Sequence, residues 1–343
     1  MTASARQSTR LRLVALAIVA VLLLGASAAY LLVSRSEQQH VTQNAPGQST
    51  VQLASVSTGP RIVFRNTAIG PNYGRVAMVR LGSPAGARAF TGSLCDRVFA
   101  ASDRMLCLAS DPGVVTAYTA RTWQTSGGPA RDLPLTGIPS RARLSADGRL
   151  AATTSFVAGD SYASTSFSTR TVVSELDKGV NLDLEKFRLV HRGKVIAPSD
   201  RNYWGVTFAG DDDGFFVTVM FHGTTWLGKG SLSSRTVRTL RSDAECPSLS
   251  PDGSKVAYKK RGNRRAGDWR LAVLDLATGK ETQLTETHSV DDQVEWLDEG
   301  HILYGLPGQG TKVAETDVWA LPVDGRGQPR LLIQKAWSPA VVR

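Results

Sequence analysis

The fold is decided by two neighbouring stretches, residues 246–260 (CPSLSPDGSKVAYKK) and residues 269–285 (WRLAVLDLATGKETQLT). Each contains two short apolar runs joined by a tight turn, which is SPDG at residues 250–253 and ATGK at residues 277–280. Proline presets φ for a turn, and Asp-Gly tolerates the positive φ that a hairpin needs. The two stretches therefore predict two β-hairpins in series, which together make one four-stranded antiparallel sheet.

Related patterns recur at residues 95–109, 144–150, 208–216 and 291–304 and divide the chain into six units. The units start near residues 59, 92, 137, 192, 242 and 286, and sheet units repeated at such a spacing are typical of a β-propeller. The first unit lacks an inner strand, and residues 336–342 (AWSPAVV) align with the inner strand of the fifth unit, residues 244–250 (AECPSLS). We therefore predict an all-β, six-bladed β-propeller over residues 59–343. Its last residues are expected to pair beside residues 61–64 and to close the ring.

A resemblance to a known family rests on SPDG at residues 250–253 and LDLATG at residues 274–279. These segments resemble the Pro-Asp, WD-like repeats of TolB-like six-bladed propellers, and the chain is similar to bacterial membrane-anchored TolB-like translocation proteins. The resemblance covers about residues 59–342 and implies the fold far more strongly than a function. TolB itself carries a separate α/β domain before its propeller, whereas residues 34–58 take that place here. We therefore do not expect the Pal-binding and TolA-binding roles of TolB to carry over.

The N-terminal region predicts the compartment. Residues 13–33 contain no Asp, Glu, Lys, Arg or His, and arginines precede them. A helix of that length reaches about 30 Å, the thickness of a hydrocarbon core, and the arginines indicate a cytoplasmic N-terminus. We expect a cytoplasmic tail (residues 1–12), a signal-anchor transmembrane helix (13–33), a flexible linker (34–58) and an extracytoplasmic propeller at the plasma membrane. The alternative is secretion after cleavage following Ala28, at an A-x-A-like site.

The composition limits the partners. The 343 residues are 42% hydrophobic and 20% charged, which excludes an intrinsically disordered chain. Lys and Arg number 40 against 30 Asp and Glu, a net charge of +10, which permits contact with an anionic polymer, lipid headgroups or an acidic protein. An exported protein is not expected to bind nucleic acid. The sequence does not indicate an oligomeric state.

Motifs of established chemistry are missing from the sequence. No serine lies in the G-x-S-x-G pattern of a nucleophile elbow, and there is no phosphate-binding loop or HExxH. Residues 211–214 (DDDG) lack the alternating oxygens of a calcium loop, and the five histidines are scattered. We therefore expect no metal and no cofactor, and the sequence favours a protein that is not an enzyme without settling the question.

Two of the three cysteines suggest a crosslink. Cys95 and Cys107 lie on the two arms of one predicted hairpin, at similar distances from its turn. Such a placement brings their Cα atoms near the bridging range, and an exported compartment permits oxidation. We expect a disulfide, the alternative being two buried thiols. Cys246 is expected to remain single and buried.

Binding is expected on one face of the propeller, which we name the loop-rich face. Strand alternation places on it the loops between second and third strands and the loops between units, whereas turns such as SPDG lie on the opposite turn face. Long irregular loops on a rigid scaffold are where binding usually occurs. The basic residues within 259–265 are either a site for anionic polymers or a solvated loop. The candidates for the binding face are Asp160, Tyr162, Tyr203, Trp204, Lys259, Lys260, Arg261, Arg264, Arg265, Trp269, Asp291 and Asp292.

Three functions remain open at this point. The preferred one is a membrane-tethered, non-enzymatic binding or scaffold module for a protein or a cell-envelope ligand. The alternative is a cell-envelope hydrolase or lyase, with carboxylates such as Asp160 or Asp291 at the mouth of the propeller channel. The third is a structural spacer in a membrane complex. Clustered carboxylates with shifted pKa values in a deep pocket would support an enzyme, whereas a shallow channel would support binding.

Overall fold

The computed structural model describes residues 13–27, 29, 48–113, 115–163, 166–308 and 315–343, which belong to two units. In the first unit, residues 13–27 form an α-helix with exposed side chains. Within the described ranges, no helix has both the length and the apolar character that crossing a membrane requires. The predicted tail, the end of the predicted transmembrane helix and most of the predicted linker fall on residues 1–12, 28 and 30–47, outside the described residues.

The second unit starts at Gln48 and consists of six sheets, the blades. Blade 1 contains β1 (Arg61–Asn66), β2 (Arg75–Arg80) and β3 (Ala89–Leu94). Blade 2 contains β4 (Arg97–Ala101), β5 (Arg104–Asp111), β6 (Ala117–Gln124) and β7 (Arg131–Leu133). Blade 3 contains β8 (Ile138–Leu144), β9 (Leu150–Ala158), β10 (Ser168–Glu175) and β11 (Val180–Asp183). Blade 4 contains β12 (Arg188–His191), β13 (Lys194–Ile196), β14 (Asn202–Phe208), β15 (Gly214–Phe221), β16 (Thr224–Ser231) and β17 (Thr236–Ser242). Blade 5 contains β18 (Glu245–Leu249), β19 (Lys255–Lys260), β20 (Arg270–Asp275) and β21 (Glu281–Gln283). Blade 6 contains β22 (Glu295–Asp298), β23 (His301–Pro307), β24 (Thr316–Pro322) and β25 (Arg330–Ile333). Strand β26 (Ala336–Val342) completes blade 1, and short 3₁₀ helices lie at Leu53–Ser55 and Leu184–Lys186.

The blades form a closed ring. Their innermost strands contact one another in the cyclic order β26, β4, β8, β14, β18 and β22, and β22 returns to β26. The predicted closure is confirmed, because β26 pairs antiparallel with β1 and places Val341 opposite Ile62. Buried apolar side chains fill the spaces between neighbouring sheets, as where Val63 and Val342 of blade 1 share a cluster with Val98 of blade 2. The all-β, six-bladed prediction is therefore confirmed.

A bulge recurs on the innermost strands. Register shifts occur on β8, β14 and β18, and between β1 and β26. Cys246 (φ 50°) and Ser338 (φ 53°) both adopt the left-handed conformation, and they are equivalent in the alignment that predicted the ring closure. Gly205 of β14 has φ 66°, and a Cβ there would lie 2.8 Å from the Cα of Cys246. A bulge bends its strand and redirects side chains, so this repeated feature shapes one end of the channel.

Two parts of the structure were not predicted. The hairpin β12–β13 extends blade 4 to six strands, with β12 running parallel to the outer strand β17. Residue 192 lies in this hairpin, so blade 4 begins close to the predicted start of the fourth unit, with the hairpin as an added outer edge. Residues 48–58, predicted as linker, pack on blade 1: Thr50 pairs in parallel with Arg88, and Val56 is buried.

The predicted crosslink is present. Cys95 and Cys107 form a disulfide with a Cα–Cα distance of 5.5 Å. Cys95 lies just before β4 and Cys107 lies in β5, so the bond joins the first two strands of blade 2 near the loop-rich face. Cys246 is single and buried, as expected.

Candidate functional site

The loop-rich face carries a cleft of about 910 Å³ between the loops of blades 3, 4 and 5. The innermost strands of blades 2 to 6 begin on this face and run to a hairpin turn on the opposite one, as β18 does before the turn at residues 250–253. The loop between β9 and β10 contributes Tyr162, and the loop between β19 and β20 contributes Arg261 and Asn263. The cleft is therefore off the propeller axis, and three blades build its walls.

The floor of the cleft is aromatic. Tyr162 stacks on Trp204 with ring centroids 5.0 Å apart, and Phe167 meets both rings edge-on. Trp269 and Cys246 belong to the same buried cluster, while Phe167 and Met220 are partly exposed. Ser140 fixes the phenol of Tyr162 through a 2.6 Å hydrogen bond between their oxygens.

Beneath this floor lies a buried charge cluster centred on Lys259. Its side chain is 0% exposed, and its Nζ lies 2.5 Å from Oδ1 of Asp291 and 3.8 Å from Oε2 of Glu245. The same Nζ lies 3.8 Å from the ring centroid of Trp269 and 4.9 Å from that of Tyr162. The ammonium is thus held by two carboxylates and two aromatic rings, which offset the cost of burying a charge.

The cluster continues across the axis. Arg141 of β8 donates to Oδ1 of Asp291 over 3.1 Å, and Arg97 of β4 pairs with Asp292 over 3.4 Å. Asp292 also accepts hydrogen bonds from the backbone N–H groups of Gln293 and Gly305. Ion pairs therefore link the innermost strands β4 and β8 to the loop that precedes β22.

Further along the axis, polar side chains fill the channel. Arg143 pairs with Glu295 and donates to the carbonyl of Val294, while Gln293 donates to the carbonyls of Val206 and Pro247 over 2.9 and 2.8 Å. The cavity that remains beside Arg143 and Gln293 has a volume of about 20 Å³, close to that of one water molecule. At this level the channel admits nothing larger than water, and it widens to about 600 Å³ at its turn-face mouth, beside Ser102, Ala146 and Pro251.

The charge cluster shifts the pKa values of its members in opposite directions. Burial raises the pKa of Glu245, and Lys259 offsets this only in part. Burial also opposes the charge of Asp291, but Lys259 and Arg141 outweigh it and lower the pKa of Asp291 to about 2. Burial opposes the charge of Lys259 as well, yet Asp291 and Glu245 raise its pKa. Asp291 and Lys259 therefore remain a charged pair at neutral pH.

The structure brings together some of the predicted candidates and separates others. Tyr162, Trp204, Arg261 and Trp269 line the cleft, and Lys259, Asp291 and Asp292 lie in the charge cluster. Tyr203 and Trp204 belong to strand β14 rather than to the predicted loop, and Tyr203 is buried in the core of blade 4.

The basic stretch divides in the same way. Lys259 and Lys260 end strand β19, and Lys260 pairs with Glu281, so only Arg261, Arg264 and Arg265 are exposed. Asp160 is exposed in its loop and does not line the cleft.

Three residues of this site were not predicted from the sequence. Arg97 and Glu245 are the first residues of the innermost strands β4 and β18, and Arg141 is the fourth residue of β8. Since every innermost strand starts at the same end of the channel, charged residues at these positions were the available signal. Arg141 and Asp291 are 150 positions apart in the chain, so the sequence alone does not pair them.

Comparison of the structure with solved structures places it among propellers. It matches the crystal structure of TolB from Acinetobacter baumannii with a TM-score of 0.57 and 18% sequence identity. The match covers 85% of this chain and 69% of the TolB chain. The domain is a six-bladed β-propeller whose fold is similar to that of TolB. The TolB-like propeller is also similar to a chain of the nidogen/laminin complex, with a TM-score of 0.54 and 11% identity over 82% of this chain and 98% of the other. No protein-family model matches the sequence, and a search of curated proteins gives no match. At these identities the likeness establishes the fold alone.

Proposed function

We propose that the TolB-like propeller is a non-enzymatic binding module that holds its ligand in the cleft on the loop-rich face. The observation that carries this proposal is the distribution of open space. Internal ion pairs and hydrogen bonds fill the middle of the channel axis, and its turn-face mouth leaves about 600 Å³ open, whereas about 910 Å³ of the loop-rich face remains open above an aromatic floor. Clefts with a mostly preformed aromatic lining and a few polar groups are typical of ligand sites.

The carboxylates support binding better than hydrolysis. Asp291 is neutralised by Lys259 and Arg141 and has a pKa of about 2, so it is a weak general base. Glu245, whose pKa burial raises, accepts a 3.0 Å hydrogen bond from Trp269 and lies beside the ammonium of Lys259. Both acids are engaged by side chains of their own domain, and Asp160, the other acid considered for an enzyme, does not join them.

We further propose that the propeller works outside the plasma membrane, tethered by residues 13–33 as a signal-anchor, in the manner of the membrane-anchored TolB-like subgroup. Two observations support this location. Residues 13–33 contain no charged side chain, and the Cys95–Cys107 disulfide requires a compartment that permits oxidation. The partners would then be the membrane, through the N-terminal helix, and a protein or polymer of the envelope.

A cleft-blocking variant tests the binding function. Asn263→Trp adds a large side chain to an exposed residue of the cleft wall, and Ala146→Trp makes a similar change on the turn face. The full chain, affinity-tagged and mildly solubilised from native membranes, is isolated in each form. Material that co-isolates with the wild type should be lost with Asn263→Trp and retained with Ala146→Trp. Retention by both variants, or loss from both, would refute a ligand site in the cleft.

A further inference from the structure

The cleft contains a hydrogen-bond donor that the fold leaves unused. Trp204 lines the cleft and is fully buried, and its indole N–H has no acceptor among the described residues. Other buried indoles on the axis are satisfied: Trp269 donates to Glu245 over 3.0 Å and Trp296 to the carbonyl of Ser248 over 2.9 Å. A buried donor without a partner is costly, and among the unpartnered buried groups of the described residues Trp204 is the one that lines this cleft, where a ligand can provide the acceptor once a neighbouring side chain moves aside.

Above Trp204, the cleft offers small neutral polar groups. The side chains of Ser166, Ser199, Thr224, Ser242 and Asn263 lie around its wall and provide hydroxyl and amide groups that both donate and accept hydrogen bonds. Phe167 and Met220, both partly exposed, are the apolar surfaces that a ligand meets first. Methionine is unbranched and repacks readily, which suits it to a position beside the unused donor.

Most charged residues that line the cleft are engaged within the protein. Asp243 accepts hydrogen bonds from the backbone N–H groups of Arg261 and Gly262, and Arg201 donates to the carbonyl of Glu185 over 2.6 Å. Lys259 is held by Asp291 beneath the floor. The guanidinium of Arg261 remains exposed in the cleft wall. A single exposed cation attracts an anionic polymer weakly, so the hydroxyl, amide and indole groups favour a neutral ligand.

The cleft also lacks the features that recognise an extended peptide. A peptide commonly adds a strand to an exposed sheet edge, where main-chain hydrogen bonds supply the affinity. The outer edge strands β11, β13 and β21 lie away from the cleft. The inner edge strand β18 reaches it, but there the N–H of Cys246 donates to the hydroxyl of Thr218 and the carbonyl of Pro247 accepts from Gln293. A ligand here must bond to side-chain hydroxyls, amides and an indole while placing an apolar surface on aromatic rings.

We propose that the cleft binds a neutral saccharide, a short stretch of glycan whose apolar ring face packs on the Phe167–Met220 surface. One of its oxygens accepts the hydrogen bond from the Trp204 N–H, and its hydroxyls bond to the serine, threonine and asparagine side chains of the wall. This assignment rests on the proposed binding function and specifies its ligand. Aromatic rings combined with hydroxyl and amide groups provide both the apolar and the polar contacts that a sugar ring requires.

The experiment measures binding to the full chain, purified in a zwitterionic detergent without a sugar head group. Chitotetraose and maltotetraose are the neutral saccharide probes, and heparin and tetraalanine represent an acidic polysaccharide and a neutral peptide. Calorimetry and tryptophan fluorescence should detect one of the neutral saccharides with a Kd of about 1 mM or tighter. Absence of binding at that level, or binding of heparin or tetraalanine in place of both saccharides, would overturn the proposal.

Two matched variants identify the donor. Trp204→Phe keeps an aromatic ring and removes the N–H, so it should weaken saccharide binding about fivefold or more, the worth of one hydrogen bond. Trp226→Phe is the control, because the indole of Trp226 also lacks an acceptor among the described residues but lies outside the cleft. Equal weakening by both variants, or no weakening by Trp204→Phe, would contradict the assignment.

A third variant protects the test against a folding defect. Asn263→Trp changes only an exposed wall residue and should abolish saccharide binding. If no saccharide binds and Asn263→Trp still prevents co-isolation of a partner, the saccharide assignment fails while the binding function stands. If Asn263→Trp changes neither measurement, both fail.

Discussion

Replacement of Lys259 by methionine tests the role of the buried charge cluster. Lys259→Met preserves the length of an unbranched side chain and removes the ammonium that lies 2.5 Å from Asp291 and 3.8 Å from Glu245. Asp291 keeps Arg141 as a partner at 3.1 Å, and Glu245 keeps the indole of Trp269. The variant therefore leaves two carboxylates beside an apolar side chain without stripping either of all its contacts.

The magnitude follows from those remaining contacts. Removing one partner of a buried ion pair costs about 3–5 kcal/mol. The side chain of Asp291 is 42% exposed, so water reduces the penalty, and we expect a loss of about 2–4 kcal/mol. In a domain of this size, about 1 kcal/mol corresponds to about 2 °C in melting temperature, which predicts a decrease of about 4–8 °C.

Thermal unfolding of the full chain, followed by circular dichroism, measures this decrease at pH 7. Lys260→Met is the matched control, because Lys260 is the neighbouring residue, is 23% exposed and pairs with Glu281, an arrangement worth about 0–1 kcal/mol. The pH dependence provides a second readout. Because the pKa of Asp291 is lowered to about 2, its contribution to stability is present above pH of about 4 and is lost as the pH falls towards 2.

The difference between wild type and Lys259→Met should therefore shrink as the pH falls from 4 to 2. A melting temperature of Lys259→Met within about 1 °C of the wild type at pH 7 would refute a stabilising role for the pair. So would a decrease of equal size in Lys260→Met.

Three further predictions concern other parts of the propeller. Glu245→Gln keeps an acceptor for the indole of Trp269. Burial raises the pKa of Glu245, so its ionised form destabilises the fold, and the variant should match or exceed wild-type stability at pH 7. Thermal melts should show that any gain disappears below pH 4, where Glu245 of the wild type is protonated. Gly205→Ala should lower the free energy of unfolding in urea by about 2–4 kcal/mol, because its Cβ would lie 2.8 Å from the backbone of Cys246. Gly279→Ala, at a similar φ in open space, should cost about 1 kcal/mol. Equal losses would contradict the role of the bulge. Reduction of the Cys95–Cys107 disulfide, a loop with a sequence separation of 12, should cost about 3 kcal/mol in the same assay, and non-reducing peptide mapping that finds both thiols free would exclude the bond.

The six-bladed ring could be predicted from the sequence because the turn signals that define its hairpins are local. The SPDG turn with its flanking runs defines a hairpin, and the alignment of residues 336–342 with residues 244–250 located the closing strand. The hairpin β12–β13 was not predicted, because its pairing with β17 is parallel and joins residues about 48 positions apart, which no turn signal encodes.

The site was predicted less completely, for a different reason. Successive side chains of a strand point to opposite faces, so the dipeptide Lys259–Lys260 places one lysine on the propeller axis and the other against Glu281. A run of basic residues looks uniform in the sequence and does not show which face of the strand each side chain occupies. The partners Arg141 and Asp291 come from blade 3 and from the loop before blade 6, and only closure of the ring brings them together.

The most direct test of the whole account is site-specific photo-crosslinking in intact cells. A photoreactive phenylalanine analogue is placed at Thr224 on the rim of the cleft, or at Ala146 on the turn face, both of which are exposed. The account predicts a discrete crosslinked product from Thr224 that disappears when Asn263→Trp is added, and no such product from Ala146. A product that forms from Ala146 alone, or one from Thr224 that persists with the cleft blocked, would contradict the claim that the loop-rich cleft holds the ligand.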